Sequence, residues 1–175
     1  MADAPGPQQR PEGVRGLRDR LRLPALVLLV LLLVGAGAVA YDEFQSSGDP
    51  NAATVTVVDQ DGGTLGTVEV TVADTFRERY TGLSEATALG PDEGMLFVHD
   101  AEANHSYVMR DMAFPIDIVF IDADRRITAI HHAEVEDPPL TQYSGRAKWV
   151  LEVPYNWTTD HGVIVGDRVR IDLGA

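Results

Sequence analysis

The chain has 175 residues, with 14 Lys+Arg against 27 Asp+Glu, a formal net charge of −13 and no cysteine. This length suits one domain with an appendage. The lack of cysteine excludes a disulfide scaffold, an iron–sulfur protein, a thiol enzyme and a cysteine-based zinc site. The negative charge argues against nucleic-acid binding, because phosphates would repel the chain.

The N-terminal part predicts a membrane segment. Residues 1–22 carry five arginines, and the next 19 residues, Leu23–Tyr41, are uncharged. A helix of that length nearly spans a hydrocarbon core of about 30 Å. The arginines before it orient residues 1–22 as a cytoplasmic tail, with the rest of the chain outside. A cleaved signal peptide ending at Ala40 is the alternative, because Ala38-Val39-Ala40 has small residues at the positions that signal peptidase requires, and the protein would then be secreted.

A polar linker and an acidic domain follow. Residues 42–53 contain Ser, Gly and Pro, as tethers do, which leaves 54–175 as the folded domain. After residue 41, nine basic residues face 24 acidic ones, a net charge of −15, and Lys148 is the one lysine. A small soluble domain usually carries a net charge of magnitude about 2–8. Because molar salt screens such repulsion, we interpret the acidity as a halophilic adaptation; an acidic surface for a cationic partner is the alternative.

The domain sequence predicts short strands joined mostly by hairpin-length turns. Thr75 and Glu78 have the spacing of a capping box, so a short helix should begin there and stop at Gly82. Pro154 should open a second helical turn that ends before Gly162. The predicted fold is mainly β, an antiparallel sandwich or small barrel with two short helices. The eight predicted strands are 54–58, 64–72, 94–99, 105–110, 116–121, 126–132, 147–153 and 168–173.

Several separated blocks resemble the family called domain of unknown function 192. Their order and spacing agree across roughly residues 66–173, and the blocks are Glu78–Leu83, Gly94–Val98, Tyr107–Met112, Phe114–Asp122, Val150–Pro154 and His161–Asp167. The resemblance implies a small β-rich domain, often secreted or membrane-anchored, without an established activity. Val108 stands where the family tends to have tryptophan, Arg110 where it has lysine, and Ser84 where it has methionine.

Asp117 is the most informative polar residue. Strand alternation places it on the same face as Val119 and Ile121, and a carboxylate there must be paired or form part of a site. One interpretation is structural, with a charge-assisted hydrogen bond from Arg110 or Arg79. The other is a ligand-binding pocket formed by Arg79, Arg110, Asp111 and Asp117.

The histidines and methionines support metal binding only weakly. His131 and His132 are adjacent in a predicted strand, so their side chains should point to opposite faces. His99 and His105 could face each other across a hairpin, but we interpret them as surface histidines beside a turn. The methionines are expected to fill the core rather than bind copper. No cofactor or metal is predicted.

The sequence therefore predicts a membrane-anchored external β domain that binds a small ligand or a surface partner without catalysis. The alternatives are an envelope hydrolase that uses Asp117 or Asp111 with a histidine, and a Met/His metal-binding domain. Asn104 and Asn156 each begin a glycosylation sequon. No motif names a nucleophile or a catalytic residue.

Overall fold

The structure is a computed structural model that describes residues 51–173. The predicted tail, the membrane segment and nearly all of the predicted linker lie outside this range. Within residues 51–173, no helix is long and apolar enough to cross a membrane. The first strand begins at Ala52, so the last two residues assigned to the linker belong to the sheet.

Seven strands form a single curled sheet in the order β5-β4-β6-β3-β2-β1-β7. Two short helices, α1 (Phe76–Thr81) and α2 (Trp157–Asp160), follow β2 and β6. The strands are β1 Ala52–Val58, β2 Thr64–Ala73, β3 Glu93–Tyr107, β4 Ile116–Ile121, β5 Ile127–Ala133, β6 Tyr143–Pro154 and β7 Arg168–Asp172. The prediction of a mainly β fold with two short helices is confirmed.

The sheet departs from a purely antiparallel arrangement at one place. β2 and β3 are parallel, and α1 lies in the connection between them. The two edge strands also approach each other, because Arg126, just before β5, forms a β-bridge with Arg168, the first residue of β7. The sheet therefore curls into a half-barrel, and residues 51–173 contain no second sheet with which it could form a sandwich.

The helix α1 begins where its sequence predicts. The Thr75 side chain accepts a hydrogen bond from the Glu78 backbone N–H, and the Glu78 carboxylate accepts one from the Thr75 backbone N–H. Gly82 follows at φ +51°, a conformation that suits a residue without a side chain, and its N–H donates to the Glu78 carbonyl. Arg79 follows Glu78 in this helix, and its backbone N–H donates to the Thr75 carbonyl over 3.0 Å.

One prediction about the strands is wrong in an instructive way. The two strands expected at 94–99 and 105–110 form one long strand, β3, which pairs with β6 along most of its length. The pairing register shifts between Val98 and Ala103, so the acidic stretch that looked like a turn is an irregularity inside the strand. The shift brings the His99 and His105 rings into a stack with centroids 3.5 Å apart.

Buried side chains form two clusters, and β4 contributes to both. Val119 and Ile121 belong to the first cluster, while Ile116, Ile118 and Phe120 belong to the second. The predicted alternation along this strand is therefore confirmed. All six residues of β4 are buried, so every polar group on it must be accommodated inside the protein.

Candidate functional site

A cavity of about 310 Å³ lies beside α1, next to the second apolar cluster. This is at the small end of the range for small-molecule sites. Its polar lining comes from α1, from β3, from β6 and from the segment after β3. The lining side chains include Arg79, Ser84, Phe97, His99, His105, Tyr107, Arg110 and Glu152.

Two of the predicted ligand-binding residues, Arg79 and Arg110, line this cavity. Arg79 Nη1 donates to the Asp74 carbonyl and, over 2.9 Å, to the Val98 carbonyl. Arg110 Nη2 donates to the Tyr80 carbonyl over 2.6 Å, and its guanidinium lies 4.1 Å from the centroid of the Tyr80 ring. Backbone carbonyls and an aromatic ring thus position both cations, and Arg110 also has the exposed Asp111 carboxylate 3.7 Å away.

The most unusual residue of the cavity is Glu152, which the sequence analysis did not single out. It is 6% exposed and pairs in the sheet with Met95 on one side and Ile118 on the other. Burial raises the pKa of its carboxyl to about 8, because the ionised form loses its hydration. Within residues 51–173, no ion pair offsets that burial, so the group is largely protonated at neutral pH.

His99 and Tyr107 form a hydrogen-bonded pair in the same cavity, with His99 Nε2 3.0 Å from the Tyr107 hydroxyl. Burial, together with His105 and Arg79, lowers the pKa of His99 to about 4, so its ring is neutral at pH 7. Burial also raises the pKa of Tyr107, which keeps its hydroxyl protonated. The interpretation of His99 and His105 as surface histidines beside a turn is wrong: both lie inside β3 and are partly buried, and within residues 51–173 His105 Nε2 has no hydrogen-bond partner.

Asp117 lies elsewhere, on the other face of β4. It is fully buried, and its partners are not the expected arginines. His132 Nδ1 donates to Oδ1 over 2.6 Å, and the Asn156 N–H donates to the same oxygen over 3.1 Å. Thr158 donates to Oδ2 through its N–H over 2.9 Å and through its hydroxyl over 2.5 Å. The carboxylate therefore fastens α2 and β5 to β4.

Of the four residues predicted to form one pocket, the structure brings together only Arg79 and Arg110. Asp111 follows Arg110 at φ +56°, with its side chain 81% exposed and 3.7 Å from the Arg110 guanidinium. Among the described residues, neither Asp111 nor Asp117 lines the cavity. A signal for Glu152 was present in the sequence, since a glutamate between Leu151 and Val153 interrupts an apolar strand.

The other histidines and the methionines considered as metal ligands lie apart from one another or in the core. His131 and His132 point to opposite faces of β5, as predicted: one contacts Phe120 and the other Asp117. Met109 is 2% exposed inside the second cluster, and Met95 and Met112 pack against it. In the part of the chain that the structure describes, no group of three or more His, Cys, Asp or Glu side chains is arranged to hold a metal ion.

Both glycosylation candidates are accessible in the structure. Asn104 is exposed on β3, where it pairs with Arg146. Asn156 is exposed at φ +67°, immediately before α2, and its backbone N–H is one of the donors to Asp117. Attachment of a glycan at either side chain is thus sterically open.

Comparison with known proteins supports the resemblance. The sequence profile of DUF192, described as "Uncharacterized ACR", matches residues 56–171. A Sinorhizobium meliloti 1021 protein described as a "putative transcription regulator" has a TM-score of 0.63 and 27% identity, over 68% of this chain and 92% of its own. A Novosphingobium aromaticivorans DSM 12444 protein of unknown function has a TM-score of 0.61 and 30% identity, over 68% and 84%. No curated protein matches the chain.

Proposed function

The chain belongs to the DUF192 family, and we propose that it is an extracytoplasmic, membrane-anchored β domain that binds a small ligand in the cavity beside α1. The observation that carries this proposal is the convergence of polar groups on one small cavity. Arg79, Arg110 and Glu152 all line it, alongside the hydrogen-bonded pair of His99 and Tyr107. Sites with a few convergent polar groups, one of them a carboxyl of raised pKa, are typical of ligand binding.

The second predicted role, docking of a surface partner, has less support than ligand binding, because the polar groups point into a concavity. The regulator description of the Sinorhizobium protein is not carried over either. A net charge of −13 opposes contact with a phosphate backbone.

A cavity-filling variant tests the proposed site. Ser84 lines the cavity and is partly buried, whereas Thr87 is exposed in the same loop and does not line it. We expect wild-type protein and Thr87→Phe to bind the same members of a small fragment library in ligand-observed NMR, and Ser84→Phe to bind none of them. Equal binding by Ser84→Phe, or no binding by the wild type, would contradict the proposal.

The proposed localisation, anchored in the membrane with the domain outside, rests on the segment Leu23–Tyr41 and the arginines that precede it. After fractionation of cells that express the full chain, we expect the protein to stay in the membrane pellet through an alkaline wash and to keep its original N-terminus. Recovery of a soluble protein that begins at Tyr41 would instead show that the segment is a signal peptide cleaved after Ala40.

The acidity supports a halophilic source, since nine basic residues face 24 acidic ones after residue 41. We expect the free energy of unfolding to rise steadily as salt increases toward molar concentrations, because screening removes repulsion. A flat dependence would favour the alternative of an acidic surface for a cationic partner.

The proposed extracytoplasmic location also makes Asn104 and Asn156 candidates for glycosylation. An unchanged mass after enzymatic deglycosylation of the native protein would exclude both.

A hydrolase is the second candidate, and one contact favours it. The His132 side chain is 42% exposed and is oriented by the fully buried Asp117, as the base of a catalytic dyad is. Within residues 51–173, however, no hydroxyl is hydrogen-bonded to His132. If the dyad is catalytic, His132→Ala should abolish hydrolysis of activated acetate esters while the fold persists; a rate equal to that of the wild type would remove this candidate.

A further inference from the structure

The charged side chains that line the cavity differ in sign from the net charge of the chain. The chain has nearly twice as many acidic as basic residues, yet Glu152 is the one acidic residue among those lining the cavity. With its pKa raised to about 8 by burial, Glu152 is mostly neutral at pH 7, and His99 is neutral as well. The exposed Asp111 lies 3.7 Å from the Arg110 guanidinium but does not line the cavity, so the lining itself has a net positive charge from Arg79 and Arg110, which favours an anion.

The two guanidinium groups also keep donors for a ligand. A guanidinium has five N–H groups. For Arg79, both protein acceptors are reached by Nη1, so Nε and Nη2 have no acceptor within residues 51–173. Arg110 reaches the Tyr80 carbonyl through Nη2, and the nearest carboxylate, that of the exposed Asp111, is 3.7 Å away. Donors arranged in a fork match the two oxygens of a carboxylate.

The walls of the cavity are largely apolar. Phe97 and Leu83 are buried beside it, while Phe76 and Tyr80 stack on each other with their centroids 6.3 Å apart. Phe76 is 80% exposed and Tyr80 63% exposed; the Arg110 guanidinium covers one face of the Tyr80 ring, and the rest of this aromatic surface is open to an apolar ligand. An inorganic anion would satisfy the arginines and leave this surface uncovered.

We infer that the cavity binds an organic monocarboxylate with an apolar body, its carboxylate held by Arg79 and Arg110. The inference rests on the proposed function, because it names the ligand class of the same site. Glu152 in its protonated form adds a hydrogen-bond donor beside the bound anion, and the aromatic rings of α1 cover the apolar body.

Three probes that share a phenyl ring and differ in head-group charge test the inference: benzoate, benzamide and benzylammonium. In calorimetric titrations of the full chain at pH 7 and one fixed chloride concentration, we expect benzoate to bind at least about tenfold more tightly than either of the others. Inorganic phosphate should bind more weakly than benzoate, because it lacks the apolar body.

Matched arginine variants locate the effect. Arg110→Gln should weaken benzoate binding by about tenfold or more, whereas Arg126→Gln should not change it. Arg126 is the fitting control, because it also donates to a backbone carbonyl, that of Gly166, but lies outside the cavity. Circular dichroism spectra should show that both variants are folded. An equal effect of the two substitutions would overturn the placement of the carboxylate.

The pH dependence supplies a further readout. Benzoate affinity should fall as pH rises through about 8, where Glu152 ionises and repels the anion, and this fall should vanish in Glu152→Gln. The other titratable or charged groups that line the cavity are His99, His105, Tyr80, Tyr107, Arg79 and Arg110, and Asp111 lies beside Arg110. Of these, His99 has its pKa near 4 and that of Tyr107 is raised above its ordinary range, so neither accounts for a change at pH 8.

The failures of the two proposals can be told apart. If benzamide or benzylammonium binds as tightly as benzoate, and Ser84→Phe blocks that binding, the ligand site stands and the carboxylate inference is overturned. If phosphate binds as tightly as benzoate, the inference that the ligand has an apolar body is overturned. If none of the probes and no fragment binds the wild-type protein, the proposed function itself fails.

Discussion

Two carboxyl groups are buried on opposite faces of the same sheet, and they differ in how far hydrogen bonds compensate for their burial. Asp117 is fully buried and accepts four hydrogen bonds from His132, Asn156 and Thr158. Glu152 is almost as buried, but burial is the one cause that acts on its pKa. A fully satisfied polar group specifies a fold, whereas one left uncompensated beside a cavity lowers stability and is typical of a binding site. We therefore assign structure to one face and ligand binding to the other.

The largest effect is expected at Asp117. Asp117→Ala would leave the Thr158 hydroxyl and two backbone N–H groups inside the protein without their acceptor, so we expect a loss of about 3–5 kcal/mol in the free energy of unfolding. Chemical denaturation measures it. The remaining folded fraction should bind benzoate as the wild type does. A loss of ligand affinity with unchanged stability would place Asp117 in the site and dissolve the contrast with Glu152.

Glu152 should give a pH-dependent effect of the opposite sign. Its pKa is raised from 4.5 to about 8 in the folded state, so the native protein binds more protons than the unfolded chain between these values. Stability is therefore lost as pH rises from about 4.5 through 8. Glu152→Gln should abolish this loss and unfold with a free energy roughly 2–4 kcal/mol higher than the wild type at pH 9, with little difference at pH 4. Denaturation curves measured from pH 4 to pH 9 test this. If the unfolding free energies of the wild type and of Glu152→Gln change with pH in parallel, the prediction is contradicted.

The acid side of the pH profile should depend on His99. Its pKa is lowered from 6.5 to about 4, so the folded protein binds fewer protons than the unfolded chain in that window, and stability is lost as pH falls from about 6.5 through 4. Because the ring is only about half buried, we expect about 1 kcal/mol after solvent screening. His99→Gln should flatten the profile below pH 6.5. An unchanged slope would mean that the ring is not held neutral beside Arg79.

An effect on stability of similar size, without a pH dependence, is expected in the helix α1 that carries Arg79. Thr75→Ala removes the side-chain half of the capping box, which should cost about 1 kcal/mol of stability. Thr87→Ala, in an exposed loop, should cost almost nothing. If α1 positions Arg79 for a ligand, benzoate affinity should fall modestly in the first variant alone. Identical affinities would show that the cap serves the fold only.

Local patterns predicted most of the fold. The alternation along Ile116–Ile121, the capping box at Thr75 and the strand predicted at 168–173 each depend on neighbouring residues, and the structure places strand, helix and strand there. The parallel pairing of β2 with β3 and the curling of the sheet depend on distant contacts, which single-sequence patterns do not encode. The acidic stretch after Val98 looked like a turn because its residues are polar, but pairing with β6 kept it inside β3.

The site was harder to predict than the fold for a related reason. Arginines in recognisable blocks pointed to Arg79 and Arg110, and both line the cavity. Asp117 attracted attention as a charge in an apolar strand, but its partners lie 15 and 41 residues further along the chain. Glu152 had the same pattern, but within residues 51–173 no ion pair or hydrogen bond like those of Asp117 offsets its burial, which raises the pKa of its carboxyl. An acidic residue within an apolar strand predicts a buried carboxyl group, but it does not predict whether hydrogen bonds compensate for the burial.

A side-by-side measurement of isosteric variants tests the contrast between the two carboxyls most directly. The free energies of unfolding of Asp117→Asn and Glu152→Gln should be determined at pH 9 by the same denaturant titration. We expect opposite signs: Asp117→Asn loses stability, because its amide opposes the Thr158 donors, and Glu152→Gln gains it, because no charge remains to be buried. Losses of similar size in both variants would show that Glu152 is as structural as Asp117 and would contradict its assignment to a ligand site.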